Sequence, residues 1–326
     1  MSEAANDTPR DAEGRPGAPG APTRVHEFRL DALTGEWVAI VAARQGRPNQ
    51  PLDGCPFCVG GLESPEPYTV RAFPNRWPPL VPGPAIDLTV PEDADPFLTH
   101  PPRGAAEVVL YTSEHTGSLA SIGVNRVRAV VDLWVERTAE LMTRAEVAYV
   151  LVFENRGAEV GATISHPHGQ IYAFPAVPPL PRREAEVAAA HGCPLCTLVP
   201  AEVETGERIV HDGGDWIAHV PFAAGHPFAT LLAPRTHVER LERLDDAGRD
   251  GLARALVDIV GRYDRIYDEP LPYLMWIHPG VHLHVHFAPM HRAPGVLRYV
   301  ASAEVGAEML FNPVAPEVAA ELLRNA

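Results

Sequence analysis

The strongest constraint on this chain is an ordered series of motifs that occurs twice. The first series opens with the pair Cys55 and Cys58 in CPFC, followed by the strand-like AAEVVLYTSEH ending at His115. A stretch with Val127, Val131, Trp134 and Leu141 near helical spacing comes next, then the strand-like AYVLVFENRG, then ISHPHGQIY with His166, His168 and Gln170. The second series opens with Cys193 and Cys196 in CPLC and runs through FATLLAPRTH to His237. It continues with a helical pattern of Leu252, Leu256, Ile259 and Tyr263, the strand-like LPYLMWIHPG, and HLHVHFAP with His282, His284 and His286. Recurrence of the same elements in the same order marks two diverged copies of one unit. At 326 residues the chain has room for both as packed halves with their own cores. The expected halves are residues 23–178 and 179–326, after a Pro-, Gly- and acid-rich segment, 1–22, predicted to be a disordered tail.

Each series carries the inventory of a metal centre. A structural zinc takes four nitrogen or sulfur ligands, often with two cysteines supplied by one tight Cys-x-x-Cys turn. Cys55, Cys58, His115 and His166 fit that set in the first half, and Cys193, Cys196, His237 and His282 fit it in the second. The start of the chain has no apolar core of the signal-peptide kind, so the cytoplasm is the expected compartment, where paired cysteines serve as ligands rather than disulfides. Thiolate and imidazole also accept iron and other metals, so the ligand sets name two sites without fixing the ion.

If His166 holds metal, His168 is left for chemistry. A neutral imidazole is a competent nucleophile at phosphorus, and the phospho-imidazolium it forms is a good leaving group. Gly169 permits a close backbone approach, and Gln170 donates hydrogen bonds to a phosphoryl oxygen without titrating. A leaving group that is already a phosphate ester needs no proton, so a non-titrating Gln points to transfer between phosphates rather than to hydrolysis. The rest of the composition agrees with a small-molecule enzyme. With a net charge of −15 and no basic cluster, a nucleic-acid surface is not expected. The longest apolar runs fall well short of the roughly 20 residues of a membrane span.

The string HPHGQ, preceded by FENRG, with CPFC, FPNRWP and SEH upstream and HVHF and RYVASAE downstream, closely resembles the galactose-1-phosphate uridylyltransferase family of the histidine triad superfamily. The resemblance runs from about Arg29 to Leu310. It implies an α+β fold of duplicated histidine-triad-like halves, with antiparallel sheets and helices packed on them. It further implies ping-pong transfer of UMP from UDP-glucose to galactose 1-phosphate through a covalent adduct on His168, supported by Gln170. By the same matching, Asn155 and Thr163 contact phosphate oxygens, and Phe73 and Asn75 lie near the uridine. Arg44 and Arg47 reach the phosphates from a neighbouring subunit, which implies a homodimer, while Arg298 and Glu304 belong to the hexose-binding segment. Some members bind a metal through one Glu and three His, matched here by Glu184, His278, His284 and His286. With Cys193 and Cys196 present, the set containing His282 is expected, the other set is its alternative, and the second triad reads as a structural relic. The rival activities are a nucleotide-sugar or dinucleotide phosphorylase using the same His168 with phosphate as acceptor, and a zinc-stabilised binding module whose histidines are all structural.

Overall fold

A computed structural model describes residues 25–42, 44, 54–267 and 269–326; the segment 1–22 and Arg47 lie outside the described residues. In chain order the elements are β1 (His26–Leu30), β2 (Trp37–Val41), β3 (Arg71–Pro74), β4 (Thr99–His100), β5 (Ala105–Leu110), α1 (Val124–Leu141), β6 (Tyr149–Arg156) and β7 (His168–Phe174). The second half continues with α2 (Pro179–His191), α3 (Pro194–Thr205), β8 (Ile209–Asp212), β9 (Trp216–His219), β10 (Thr230–Pro234), α4 (Asp246–Arg265), β11 (Tyr273–His278) and β12 (His284–Pro289). A short pair, β13 (His291–Ala293) and β14 (Val296–Leu297), leads to α5 (Ser302–Ala307) and α6 (Pro316–Asn325). The fold is α+β. Among the described residues no helix is long and apolar enough to cross a membrane.

The duplication is visible in the order of the main sheet, β3-β5-β7-β6-β11-β12-β10-β9-β8, in which every pairing is antiparallel. Read outward from the β6–β11 junction, the series β6, β7, β5, β3 is mirrored by β11, β12, β10, β9. The two copies therefore share one continuous sheet, joined through equivalent strands. The register makes the equivalence residue by residue. Phe153 pairs with Gln170 as Trp276 pairs with His286, which matches Asn155 to His278 and His168 to His284. Val108 pairs with Gln170 as Leu231 pairs with His286, and Phe73 pairs with Val108 as His219 pairs with Leu231.

Alternation along β7 decides which face is functional. Gly169, Ile171 and Ala173 are buried, while His168, Gln170 and Tyr172 point to the opposite face, as a period of two requires. Helices α1 and α4 cover the buried face. Their apolar stripes, Val127, Val131, Trp134 and Leu141 on one and Leu252, Leu256, Ile259 and Tyr263 on the other, are the residues the helical spacing singled out, and all are buried. Each contributes on the order of 2 kcal/mol of apolar burial. Between the helices, Arg128 of α1 is ringed by Asp132, Asp246 and Asp250.

Candidate active site and metal centres

The first Cys2His2 set is assembled. Cys58 Sγ lies 3.4 Å from His115 Nδ1, and Cys55 and Cys58 Sγ each lie 3.7 Å from His166 Nδ1. His166 turns its other nitrogen, Nε2, to the Thr112 carbonyl oxygen at 2.8 Å, with Tyr68 Oη 3.0 Å away. A ring whose Nε2–H is donated to a carbonyl keeps the Nδ1 lone pair for a metal. Burial holds the His166 imidazole below its ordinary pKa, and the neighbouring His115 adds to this, so it stays neutral as a ligand must.

The second set repeats this arrangement. Cys193 Sγ is 3.4 Å from His282 Nδ1, Cys196 Sγ is 3.2 Å from His237 Nδ1, and His282 Nε2 faces the Pro234 carbonyl oxygen at 3.0 Å. All four cysteines are free thiols. In both clusters the ligand atoms lie within 4.8 Å of one another, so both can hold a metal ion.

A third cluster forms beside the second, and it changes the reading of the second triad. Glu184 on α2 meets His278, His284 and His286, again with the ligand atoms within 4.8 Å. Its carboxylate lies 3.0 Å from His278 Nδ1, 3.7 Å from His284 Nε2 and 4.0 Å from His286 Nε2. Burial pulls the Glu184 carboxyl upward, but His278 and His284 outweigh it and hold it well below the usual range. The two sets read as alternatives are thus both present: His282 turns back to the cysteines, while His284 and His286 face Glu184. Helix α2 supplies the Glu, which spacing within the triad alone does not reveal.

On the first-half triad, His168 Nδ1 lies 2.7 Å from the His166 carbonyl oxygen. Donation there places the proton on Nδ1 and the lone pair on Nε2. The Phe57 ring packs edge-on to His168 at 5.2 Å. His168 stands where two cavities of about 260 Å³ each meet. One is lined by Phe57, Phe73, Asn75, Trp77, Thr163 and Gln170, with an Arg76–Glu63 ion pair at 2.8 Å on its wall. The other is lined by Asn155, Arg156, Gly157 and Ser165 among others. Gln170 Oε1 accepts from Asn75 Nδ2 at 3.3 Å and from the Tyr172 hydroxyl at 3.4 Å, which turns its amide nitrogen outward as a donor. Arg44 Nη2 donates to Tyr172 Oη at 3.4 Å, so this arginine reaches the strand of its own chain. Asn155 donates to the Val160 carbonyl oxygen at 3.3 Å while lining the second cavity.

Arg298 and Glu304 are not among the residues lining either cavity at His168. They form a buried ion pair with each other, and Glu304 also accepts from the Ala301 and Phe311 amides at 2.8 Å. The sequence reading passed over Trp77 and Tyr172, whose only signal was an aromatic residue within an already recognised motif, and Tyr68, which lies in none. It also took Gly169 to permit a close backbone approach. Packing on the reverse face of the strand gives a different reason for this glycine. A Cβ there would collide with the Tyr111 hydroxyl and lie 3.0 Å from the Phe153 carbonyl oxygen, on the face away from His168.

A duplicated antiparallel sheet that carries one His-x-His-x-Gln strand and, among the described residues, three clusters able to hold a metal ion defines a nucleotidyltransferase of the histidine triad type. Residues 21–178 match the galactose-1-phosphate uridyl transferase N-terminal domain, and residues 183–326 match its C-terminal domain. The chain belongs to the galactose-1-phosphate uridylyltransferase family. It is 38% identical over 317 residues to the galactose-1-phosphate uridylyltransferase of Thermotoga maritima, covering 92% of this chain and 98% of that protein. Among solved structures it is similar to a uridylyltransferase, with a TM-score of 0.82, 31% identity and coverage of 92% and 98% of the two chains. An ADP-glucose phosphorylase from Arabidopsis thaliana shares the fold, with a TM-score of 0.68 at 24% identity over 93% of this chain and 99% of that one.

Proposed function

We propose that the chain transfers UMP from UDP-glucose to galactose 1-phosphate in a ping-pong reaction through His168. The observation that carries the reading is the His168 ring itself, which gives its Nδ1 to the His166 carbonyl, so that Nε2 holds the lone pair, and lines both cavities. Nε2 attacks the phosphorus bonded to uridine, an N–P bond forms, and the P–O bond to glucose 1-phosphate breaks. The phosphate of galactose 1-phosphate then attacks the same phosphorus, and the N–P electrons return to Nε2. The His166 carbonyl stabilises the positive charge that the imidazole carries in between, and the Gln170 amide donates to a phosphoryl oxygen. No proton has to move at either step, which fits a site whose third triad position does not titrate. Phe73 and Asn75 border the cavity assigned to uridine, and Thr163 the phosphates at its mouth.

Zinc in both Cys2His2 sets is supported by the ligand chemistry and the carbonyl-tethered rings. The Glu184 cluster, with one carboxylate and three imidazoles, suits zinc or iron. A homodimer is supported by the run from Tyr299 to Phe311, which exposes Tyr299, Val305, Met309 and Phe311 around the buried Arg298–Glu304 pair expected to serve the hexose. Thiolate ligands suit the reducing cytoplasm. The boundary between halves at residues 178 and 179 is supported by the family matches, which end at 178 and resume at 183.

Intact-mass spectrometry after mixing with UDP-glucose tests the reading. The expected result is a uridylyl adduct mapping to His168 that galactose 1-phosphate discharges as UDP-galactose. A well-folded protein that forms no adduct overturns it, and discharge by inorganic phosphate but not by the sugar phosphate assigns the phosphorylase reaction instead.

A further inference from the structure

The reverse face of the catalytic strand holds an ionisable group that the reaction above does not use. Glu154 on β6 is buried, 5% exposed, in the layer between the sheet and the helices. Its neighbours on either side, Phe153 and Asn155, point to the face that carries Gln170. On the sheet it sits between Met275 of β11 and the backbone of Gly169 on β7, one step beyond the Phe153–Gln170 pair. The Tyr273 hydroxyl donates to Glu154 Oε1 at 3.1 Å. The Tyr111 hydroxyl is directed at the same carboxyl, without a hydrogen bond of its own, and fills the space where a side chain at 169 would stand. Tyr111 is itself fixed: it is fully buried, packs edge-on to Trp134 at 5.8 Å, and donates its amide to the Pro167 carbonyl at 3.1 Å. The residues bracketing His168 are thus held from below, Pro167 by the Tyr111 backbone and Gly169 by its hydroxyl.

We propose that Glu154, acting with Tyr111 and Tyr273, is a positioning residue that fixes the backbone at Gly169 and so holds His168 and Gln170 at the phosphorus. This rests on His168 being the nucleophile. Two features mark the group as more than a core contact. A carboxyl placed where an apolar residue would pack at no polar cost is expensive unless it is used. In the second half the matching positions carry Ile277 for Glu154 and Val285 for Gly169, so the arrangement accompanies the triad that keeps a Gln and is absent from the one that has turned to Glu184. Burial pushes the Glu154 carboxyl up to about 7, against Arg156 and the two tyrosine hydroxyls, which pull it down, and with Asp264, which adds to the rise. Of the charged groups facing it, Arg156 on its own strand is paired to Asp264 of α4 at 2.6 Å, and Asp264 is also held by Ser118 at 2.9 Å. The carboxyl therefore gains its charge in the neutral range, on the far side of the backbone from the imidazole that becomes cationic when uridylylated.

The experiment compares wild type, Glu154→Gln, Glu154→Leu and Tyr111→Phe in single-turnover uridylylation by UDP-glucose from pH 6 to 9, with thermal denaturation of each. In the wild type the rate is expected to rise through the neutral range as Glu154 gains its charge. In Glu154→Gln that rise is expected to be lost, with a rate within about fivefold of wild type below pH 6.5, since the amide preserves the contacts. Glu154→Leu and Tyr111→Phe are expected to lower kcat by about 10- to 100-fold, with KM for UDP-glucose changed less than threefold in the folded protein. Identical pH profiles in wild type and Glu154→Gln, or a folded Glu154→Leu with wild-type kcat, overturn the proposal. If Glu154→Leu does not fold, the Gln and Phe variants decide it. A wild type that forms no adduct on His168 refutes the nucleophile reading instead.

Discussion

The two triad strands share a backbone and a zinc-type anchor but end in different chemistry. In each, the first histidine turns Nε2 to a carbonyl and Nδ1 to two cysteines, and the second donates Nδ1–H to the carbonyl of the first, at 2.7 Å in both. From there they part. His168 lines two cavities, one shared with Asn155 and the other with Gln170, both neutral side chains. His284 faces His278, His286 and the Glu184 that α2 brings over the strand. The cleft itself survives in the second half: a cavity of about 310 Å³ is lined by Pro194, Leu195, Leu231, His284 and His286, the counterparts of Pro56, Phe57, Val108, His168 and Gln170. Two side-chain changes, Asn to His and Gln to His, and one helix separate the proposed site of nucleophilic transfer from a cluster able to hold a metal ion. Function here resides in those substitutions rather than in the fold.

The largest expected effect sets the two second histidines against each other. His168→Gly removes the nucleophile, and turnover is expected to fall by about 10⁴-fold or more while the metal content stays unchanged. His284→Ala removes a ligand of the Glu184 cluster, and turnover is expected to stay within about fivefold while one metal equivalent is lost. Steady-state assays paired with metal analysis check both, and equal losses of turnover would dissolve the division of labour between the halves.

Next come the cysteines. Cys55→Ser and Cys193→Ser are each expected to lose about one metal equivalent and to lower the melting temperature, because a structural metal contributes its binding energy to folding. Their kinetics should differ. Loss of the first metal frees His166, whose carbonyl orients His168, and a displacement of about 1 Å at a nucleophile costs on the order of 100-fold in rate. Cys193→Ser is expected to stay within about threefold of wild-type kcat at a temperature where it remains folded. A Cys55→Ser protein with full kcat would show that the first metal does not orient the nucleophile.

Much of this comparison could be read from the sequence, because its signals are local. The Cys-x-x-Cys pairs, the alternating triads and the helical stripes each depend on short spacing, and the duplicated order placed them relative to one another. What could not be read depends on side chains meeting across the sheet. Glu184 lies about 100 residues before the histidines it joins, so only the packing of α2 reveals that both second-half sets assemble. The need for Gly169 was visible, but its cause, the Tyr111 hydroxyl on the reverse face, is a contact between β7 and the residue following β5.

That contact gives a smaller, sharper test. Gly169→Ala places a methyl against Tyr111 and is expected to destabilise the protein by about 2 kcal/mol, as overpacking does. In a Tyr111→Phe background the same change should cost about 1 kcal/mol less, a coupling that denaturant unfolding of the four proteins in the cycle measures. Additive costs would mean that Tyr111 is not what excludes a side chain at 169. The second half provides the control, since Val285, the counterpart of Gly169, carries a full side chain and is fully buried.

The smallest effect concerns Phe73 and its counterpart His219. Phe73 lines the cavity at His168, whereas His219 is completely buried on β9, 3.9 Å from Glu202 and 3.3 Å from the Val220 carbonyl it donates to. Burial holds the His219 imidazole below its ordinary value; Glu202 and the carbonyl oppose that, and Arg208 adds to it. A histidine whose folded pKa is lowered binds fewer protons in the native state than in the unfolded chain. Stability is then full above about pH 6.5, the unfolded value, and declines as the pH falls below it. Replacing His219 with Phe, the residue type of the first half, removes this proton linkage, although the larger ring must fit against Glu202. The variant is expected to lose less stability than wild type between pH 7 and 5.5, by on the order of 1 kcal/mol, whatever its stability at pH 7. Urea denaturation at the two pH values reads the difference directly. Parallel losses in the two proteins would assign the acid sensitivity to other groups and leave His219 as a packing substitution alone.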